Sequence, residues 1–147
     1  MTEVAFHFNA PAKRGYACRL LRKAYLKGAR LVVLCDEQEL EALDAALWTF
    51  AAGEFVPHSR EGDASRLHTH SPIRLLSELP ADLPQAGETV LVNLTSSVPE
   101  QYQRFDRVIE VVDTSPADRN HARDRWRRYV GDGLEPLRHD LDQVPKI

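Results

Sequence analysis

The sequence has few of the residues that mark specialised protein classes. Only two cysteines, Cys18 and Cys35, occur among 147 residues, which excludes a disulfide framework. Seven glycines and nine prolines are too few for a collagen-like or low-complexity chain. The longest apolar runs, such as 31–35, are far shorter than the roughly 20 residues that cross a bilayer. We therefore predict one globular domain over residues 1–147, located in the cytoplasm and without membrane contact.

The sequence also lacks the motifs of common nucleotide-dependent enzymes and hydrolases. Neither G-x-G-x-x-G nor G-x-x-x-x-G-K occurs, so no glycine-rich loop lets the backbone approach a phosphate. Residues 95–97 lack the flanking glycines of a nucleophile elbow. These absences predict a protein without a cofactor or catalytic activity of its own. A nucleotide-dependent enzyme is kept as a third hypothesis.

Two other patterns could suggest chemistry, but simpler interpretations account for both. His68 and His70 could place two imidazoles on one side of a strand, yet no cysteine or carboxylate around them completes a zinc site. Cys35 precedes Asp36 at a predicted strand end, where a helix N-terminus could lower the thiol pKa. A buried cysteine behaves as a small hydrophobic residue. We therefore predict no metal site, and reduced, structural cysteines.

Short aliphatic runs alternate with segments of helical periodicity along the chain. The pattern predicts strands at 4–8, 31–34, 73–76, 90–94 and 107–112. Helices are predicted at 11–27, 36–48, 99–104 and 116–129, and a loop at 53–67. Because parallel strands require crossover helices, this order predicts a single three-layer α/β/α domain with a mostly parallel sheet.

Charge is distributed unevenly, although the formal net charge is only −3. Residues 36–63 contain eight acidic residues and one basic residue, a stretch that would repel nucleic acid. Residues 119–128 contain five arginines and one acidic residue, and this stretch could attract an anion.

Aromatic residues accompany both charged stretches. Trp48, Phe50 and Phe55 cluster beyond the end of a predicted helix, either as a small core under a loop or as an exposed binding patch. We interpret the neighbouring His58 as a structural residue of this loop.

The second cluster lies in the last predicted helix. Helical spacing places Arg119, Arg123, Trp126, Arg127 and Val130 on one stripe. Guanidinium groups beside an indole suit an acidic peptide with a terminal carboxylate. The alternative is a nucleic-acid-binding module that contacts DNA phosphates directly through this arginine helix.

At these residues the chain resembles the chi subunit of bacterial DNA polymerase III holoenzyme, an accessory subunit of the clamp-loader assembly. The resemblance spans nearly the whole chain and rests chiefly on residues 43–48, 55–58, 110–113 and 122–133. It implies a Rossmann-like α/β domain without a nucleotide-binding loop. It also implies a non-catalytic adaptor within a DNA-directed DNA polymerase, a bacterial nucleotidyltransferase complex associated with the replisome.

The resemblance further implies two partner surfaces. Trp48 and Phe55 match residues that bind the psi subunit of the clamp loader, or a helicase that competes with psi. Arg119, Arg123, Trp126 and Arg127 match residues that bind the acidic, phenylalanine-ended C-terminal tail of single-stranded DNA-binding protein. Trp126 replaces a tyrosine of the family, and arginines replace its lysines, which keeps ring and charge. DNA would then be contacted only indirectly.

Overall fold

The structure is a computed structural model that describes residues 2–49, 57–60, 72–79 and 89–141. These residues form seven strands, three α-helices and a short 3-10 helix at Tyr102–Arg104. The strands are β1 Glu3–Ala10, β2 Arg30–Leu34, β3 Ser59–Arg60, β4 Ile73–Leu76, β5 Thr89–Asn93, β6 Arg107–Asp113 and β7 Leu137–Asp140. The helices are α1 Lys13–Leu26, α2 Glu37–Thr49 and α3 Pro116–Gly131.

The seven strands form one sheet in the order β3-β4-β2-β5-β6-β1-β7. Every pairing within this sheet is parallel. The first strand of the chain lies between the last two, so that Phe6 is in register with Glu110 on one side and Arg138 on the other. The predicted α/β class is therefore confirmed, and the sheet is more regular than the mostly parallel one predicted.

Both faces of the sheet are apolar, which explains the continuous aliphatic runs in the sequence. In β2, Leu31 and Val33 pack with α1 and α2, whereas Val32 and Leu34 pack with α3 and the 3-10 helix. A strand that is covered on both faces has no solvent-facing side, so apolar and polar residues do not alternate along it. The three layers predicted from the sequence follow from this arrangement.

The helix boundaries follow local sequence features. Gly28 after α1 and Gly133 after α3 have φ angles of +86° and +90°, which glycine adopts without steric cost. At the start of α3, the Ser115 hydroxyl accepts a hydrogen bond from the Asp118 amide, and Pro116 occupies the first turn. In the described segments, no helix has the length and apolar character that crossing a membrane requires.

The predicted elements agree with the structure except at 99–104, where the predicted helix is only a 3-10 helix at Tyr102–Arg104, and near two short strands. β3 lies inside the segment 53–67 that was predicted as a loop, and the rest of that segment lies mostly outside the described residues. β7 was not predicted, because its sequence Leu-Arg-His-Asp has one apolar residue and no alternation. This omission matters for the functional site, since β7 contributes to it.

The two cysteines lie in the core, as predicted. Cys18 and Cys35 are buried, and both thiols are free of disulfides. Burial raises the pKa of the Cys18 thiol, which disfavours the reactive thiolate.

Candidate functional site

An open cavity of about 540 Å³ lies between α3 and the outer strands β1 and β7. All four residues predicted to bind a peptide tail line this cavity: Arg119, Arg123, Trp126 and Arg127. The lining is completed by residues that the sequence had not singled out, namely Phe6, Phe8, Asn9, Val112, Ala122 and Arg138. Val130, predicted on the same stripe, is 51% exposed and does not line the cavity.

Aromatic rings form the apolar part of the cavity. Trp126 is partly buried, and its ring centroid lies 5.1 Å from that of Phe6 in a tilted arrangement. Phe8, two residues along the same strand, adds a second phenyl ring on this face of the sheet. Such a surface can receive an aromatic side chain, because offset and tilted ring pairs are favourable beyond simple burial.

Arginines form the polar part of the cavity. Arg119, Arg123 and Arg127 follow one another at four-residue intervals on α3, and all three are exposed. Arg138 adds a fourth guanidinium from β7, 5.3 Å from the centre of the Phe8 ring. None of the lining residues is acidic, and although Arg127 pairs with Asp124 outside the lining, the lining carries a net positive charge beside an aromatic surface.

Asn9 positions one of these arginines. It is the one non-glycine residue with a positive φ, +65°, in the part of the chain that the structure describes. Its side-chain oxygen accepts a hydrogen bond of 2.7 Å from Arg119, and its amide nitrogen donates one of 2.8 Å to Asp140. The tolerance of asparagine for left-handed backbone is the only sequence feature that could have indicated this role.

Arg125 does not belong to the exposed basic surface, although it was counted in the basic stretch. Its side chain is 2% exposed, and its Nε donates a 2.9 Å hydrogen bond to the Glu110 carboxylate on β6. Asn93 and Tyr129 donate further hydrogen bonds to the same carboxylate at distances from 2.6 to 3.1 Å. The charge of Arg125 is thus neutralised inside the protein.

This buried network fixes how α3 sits on the sheet. Burial raises the pKa of Glu110, and the charge of Arg125 with the hydrogen bonds from Asn93 and Tyr129 opposes that shift. Burial and the nearby Glu110 charge also raise the pKa of Tyr129, which keeps its hydroxyl as a donor. With Arg125 and Tyr129 held below the helix, Arg123 and Arg127 remain on its outer face.

Trp48 forms a second candidate surface at the end of α2. Its side chain is 55% exposed, which favours the binding-patch interpretation over a small core under a loop. Its ring centroid lies 5.0 Å from that of His58, whose Nε2 is 2.9 Å from the Asp44 carboxylate. The structural role predicted for His58 agrees with this contact. Phe50 and Phe55 lie outside the described residues.

The structure does not test the histidine pair at His68 and His70, which also lies outside the described residues. Within the segments that are described, no group of three histidine, cysteine or carboxylate side chains could hold a metal ion.

Comparison with known proteins identifies the family. The family model for "DNA polymerase III chi subunit, HolC" matches residues 1–136. The chain is 35% identical to DNA polymerase III subunit chi of Pseudomonas aeruginosa, over 98% of this chain and all of that protein. It is 30% identical to the subunit chi of Haemophilus influenzae, over 76% of each chain.

One solved structure is similar in fold alone. The structure described as "S. cerevisiae Dbp5 L327V C-terminal domain bound to Gle1 H337R and IP6" has a TM-score of 0.65 and 13% sequence identity. The match covers 97% of this chain and 92% of that one. Taken with the matched length and the identity to two chi subunits, the parallel α/β fold leads to one assignment: the chain belongs to the DNA polymerase III chi subunit family.

Proposed function

We propose that the chain is a non-catalytic adaptor in DNA replication, whose cavity on α3 binds the C-terminal tail of single-stranded DNA-binding protein. The observation that carries this proposal is the convergence of the four predicted residues on one cavity with Arg138 and two phenylalanines. A second surface, around Trp48, would bind psi and so link the tail to the clamp loader. The family membership supports the wider role in DNA polymerase III.

The chemistry of the cavity matches an acidic peptide that ends in phenylalanine. Guanidinium groups can bind a terminal carboxylate through two parallel hydrogen bonds, and four of them line the cavity. The terminal ring would pack against Trp126 and Phe8, which both line the cavity, and would leave water there. We expect a micromolar affinity, about −8 kcal/mol, for such a short segment. Added salt should weaken binding, because the arginines are exposed.

Arg123→Ala tests the charged part of this proposal. Arg123 is exposed, and its one described hydrogen bond is to Asn120 on the same helix, so its loss should leave the fold intact. We expect the affinity for an acidic, phenylalanine-ended peptide to fall about tenfold, as for an arginine hot spot. Isothermal titration calorimetry would measure this change.

Arg128→Ala is the matched control for Arg123→Ala. It removes the same charge from the same helix, but Arg128 pairs with Asp132 and does not line the cavity. Its affinity for the peptide should stay near that of the unmodified protein. Equal affinities for the Arg123 and Arg128 variants would reject the proposed site. The alternative hypothesis, direct binding of DNA phosphates by α3, instead predicts that Arg123→Ala weakens binding to single-stranded DNA.

We also propose that Trp48, with Phe55, anchors psi, and that a competing helicase would use the same surface. The exposed indole supports this role, because tryptophan is frequent among residues that dominate protein interfaces. Trp48→Ala should abolish co-purification of psi while leaving peptide affinity unchanged. Val130→Ala truncates another exposed apolar side chain on a different helix and should have no effect. Retention of psi by the Trp48 variant would contradict the assignment.

A further inference from the structure

Helix α1 and the strand that follows carry an unusual concentration of positive charge. Residues 13–30 contain seven basic residues and no acidic one. Two of them are neutralised near the start of α1, where Lys13 pairs with Asp118 and Arg14 with Glu39. The other five lie towards the end of the helix and just beyond it: Arg19, Arg22, Lys23, Lys27 and Arg30.

Three of these cations form a row along one face of α1 and its C-cap residue, Lys27. Arg19, Lys23 and Lys27 follow one another at four-residue intervals, and all three are exposed. A helix rises about 6 Å over four residues, so the row presents positive charges at a regular spacing. Among the described residues, none of the three has an ion pair with a carboxylate. Regularly spaced, unneutralised cations suit a ligand with repeated negative charges.

The row leads into a second cavity of about 370 Å³ between α1 and the sheet. Lys23 and Lys27 line it together with Arg107 of β6 and His7 of β1, and no acidic residue lines it. Positive residues at a helix C-terminus stabilise the helix dipole, which would account for the lysines alone. Arg107 belongs to another element, and it forms no ion pair with its described neighbour Glu3 on β1. The convergence of all three cations therefore needs another explanation.

The environment of His7 is consistent with a positive potential in this cavity. Burial, together with the electrostatic influence of His139, Arg107 and Lys23, lowers the pKa of His7 to about 4. His7 is therefore neutral at physiological pH. Its Nδ1 contacts the Tyr16 hydroxyl, so His7 contributes a neutral, hydrogen-bonded side chain to the wall of the cavity.

The remaining lining of the second cavity is apolar. Leu20 and Ala24 contribute from α1, and Val90 and Ile109 contribute from the sheet. A ligand that fits must therefore combine negative charge with an uncharged body. A nucleotide meets both requirements, because its phosphate can face the cations while its sugar or base packs on aliphatic side chains.

We infer that the row Arg19-Lys23-Lys27 and the cavity beside it bind the phosphate backbone of single-stranded nucleic acid. This surface lies on the opposite face of the sheet from the cavity on α3, since α1 and α3 cover different faces. The nucleic acid and the acidic peptide could therefore bind at the same time. The test of one surface does not depend on the outcome at the other. The acid-rich helix α2 forms one described ion pair with α1, between Glu39 and Arg14 near the start of α1.

A pair of charge-reversal variants of the full chain tests this inference. Lys23→Glu with Lys27→Glu changes the row, and Arg123→Glu with Arg127→Glu makes the same change in net charge on the opposite face. Binding of a fluorescein-labelled oligothymidylate would be followed by fluorescence anisotropy at low ionic strength. We expect the first variant to lose about tenfold or more in affinity and the second to lose little. Binding of the acidic peptide should show the reverse pattern.

Arg107→Ala tests whether a loss of oligothymidylate affinity in the lysine variant comes from damage to α1 rather than from the change in charge. It removes a cavity cation without changing the helix, and we expect it to weaken oligothymidylate binding severalfold. Equal losses in both double variants, or no binding by the unmodified protein, would overturn the inference. Two further titrations identify the source of the phosphate. Thymidine monophosphate and polyglutamate should compete only weakly with the oligonucleotide. Strong competition by either would overturn the inference, because the surface would then bind a single nucleotide or any polyanion.

Discussion

Replacement of Arg125 by methionine should lower the free energy of unfolding by about 3–5 kcal/mol, because one partner of a buried ion pair is removed. The Glu110 carboxylate is fully buried, and Arg125 is its only described charged partner. Methionine fills a similar volume but leaves that carboxylate with hydrogen bonds alone. Urea denaturation followed by circular dichroism would measure the loss.

The effect of Arg125→Met should depend on pH in a defined direction. Without the guanidinium, burial raises the pKa of Glu110 further above its value in the unfolded chain. The folded variant then binds a proton that the unfolded chain has released, so its stability falls as pH rises through that interval. The difference in stability from the unmodified protein should be smaller at about pH 5 than at about pH 8.

Two further variants isolate the buried pair. Arg128→Met removes an exposed arginine from the same helix and should cost less than about 1 kcal/mol. Glu110→Gln combined with Arg125→Met removes both charges and should recover part of the stability that Arg125→Met loses. If the double variant were no more stable than Arg125→Met, the explanation by an uncompensated buried charge would be wrong.

The largest expected effect on peptide binding is that of Trp126→Ala, about 2 kcal/mol or a 30-fold loss of affinity for the acidic, phenylalanine-ended peptide. Trp126 forms one side of the apolar surface, and its ring packs on that of Phe6. Its removal takes away the contact that would bury the terminal ring of the peptide. Calorimetric titration would measure the affinity.

Trp126→Phe separates the loss of an aromatic ring from the loss of the fold. It keeps a ring against Phe6 and should retain more affinity than Trp126→Ala. Thermal unfolding of both variants would show how much of any loss comes from packing within the protein. An alanine variant that binds the peptide as tightly as the unmodified chain would contradict a role for this residue.

The strand and helix pattern could be predicted because the residue types of the core elements indicate whether one or both faces of each element are buried. A run such as Leu31–Leu34 has no polar side, and it lies in the middle of a sheet covered on both faces. The last helix was predicted at 116–129, and α3 ends two residues later at Gly131, with Asp132 as its C-cap residue. These features depend on residues that are close together in the sequence, so a local sequence pattern is enough to predict them.

The role of each arginine in α3 could not be predicted in the same way. Arg123 and Arg125 are two residues apart in the same helix, yet one is exposed at the cavity and the other is buried against Glu110. The difference depends on a carboxylate from another element of the chain. For the same reason Asn9 and Arg138 were missed, since they reach the cavity through the pairing of β7 with β1.

The position of β1 has a consequence for how the protein is made. Its two neighbours, β6 and β7, are the last strands to be translated, so the first strand is synthesised about a hundred residues before either neighbour exists. Pairings between such distant segments slow folding. The cavity on α3 is lined by residues from both ends of the chain, and it is therefore completed only after residue 138 has been synthesised. A nascent chain can bury much of its central sheet before this cavity is complete.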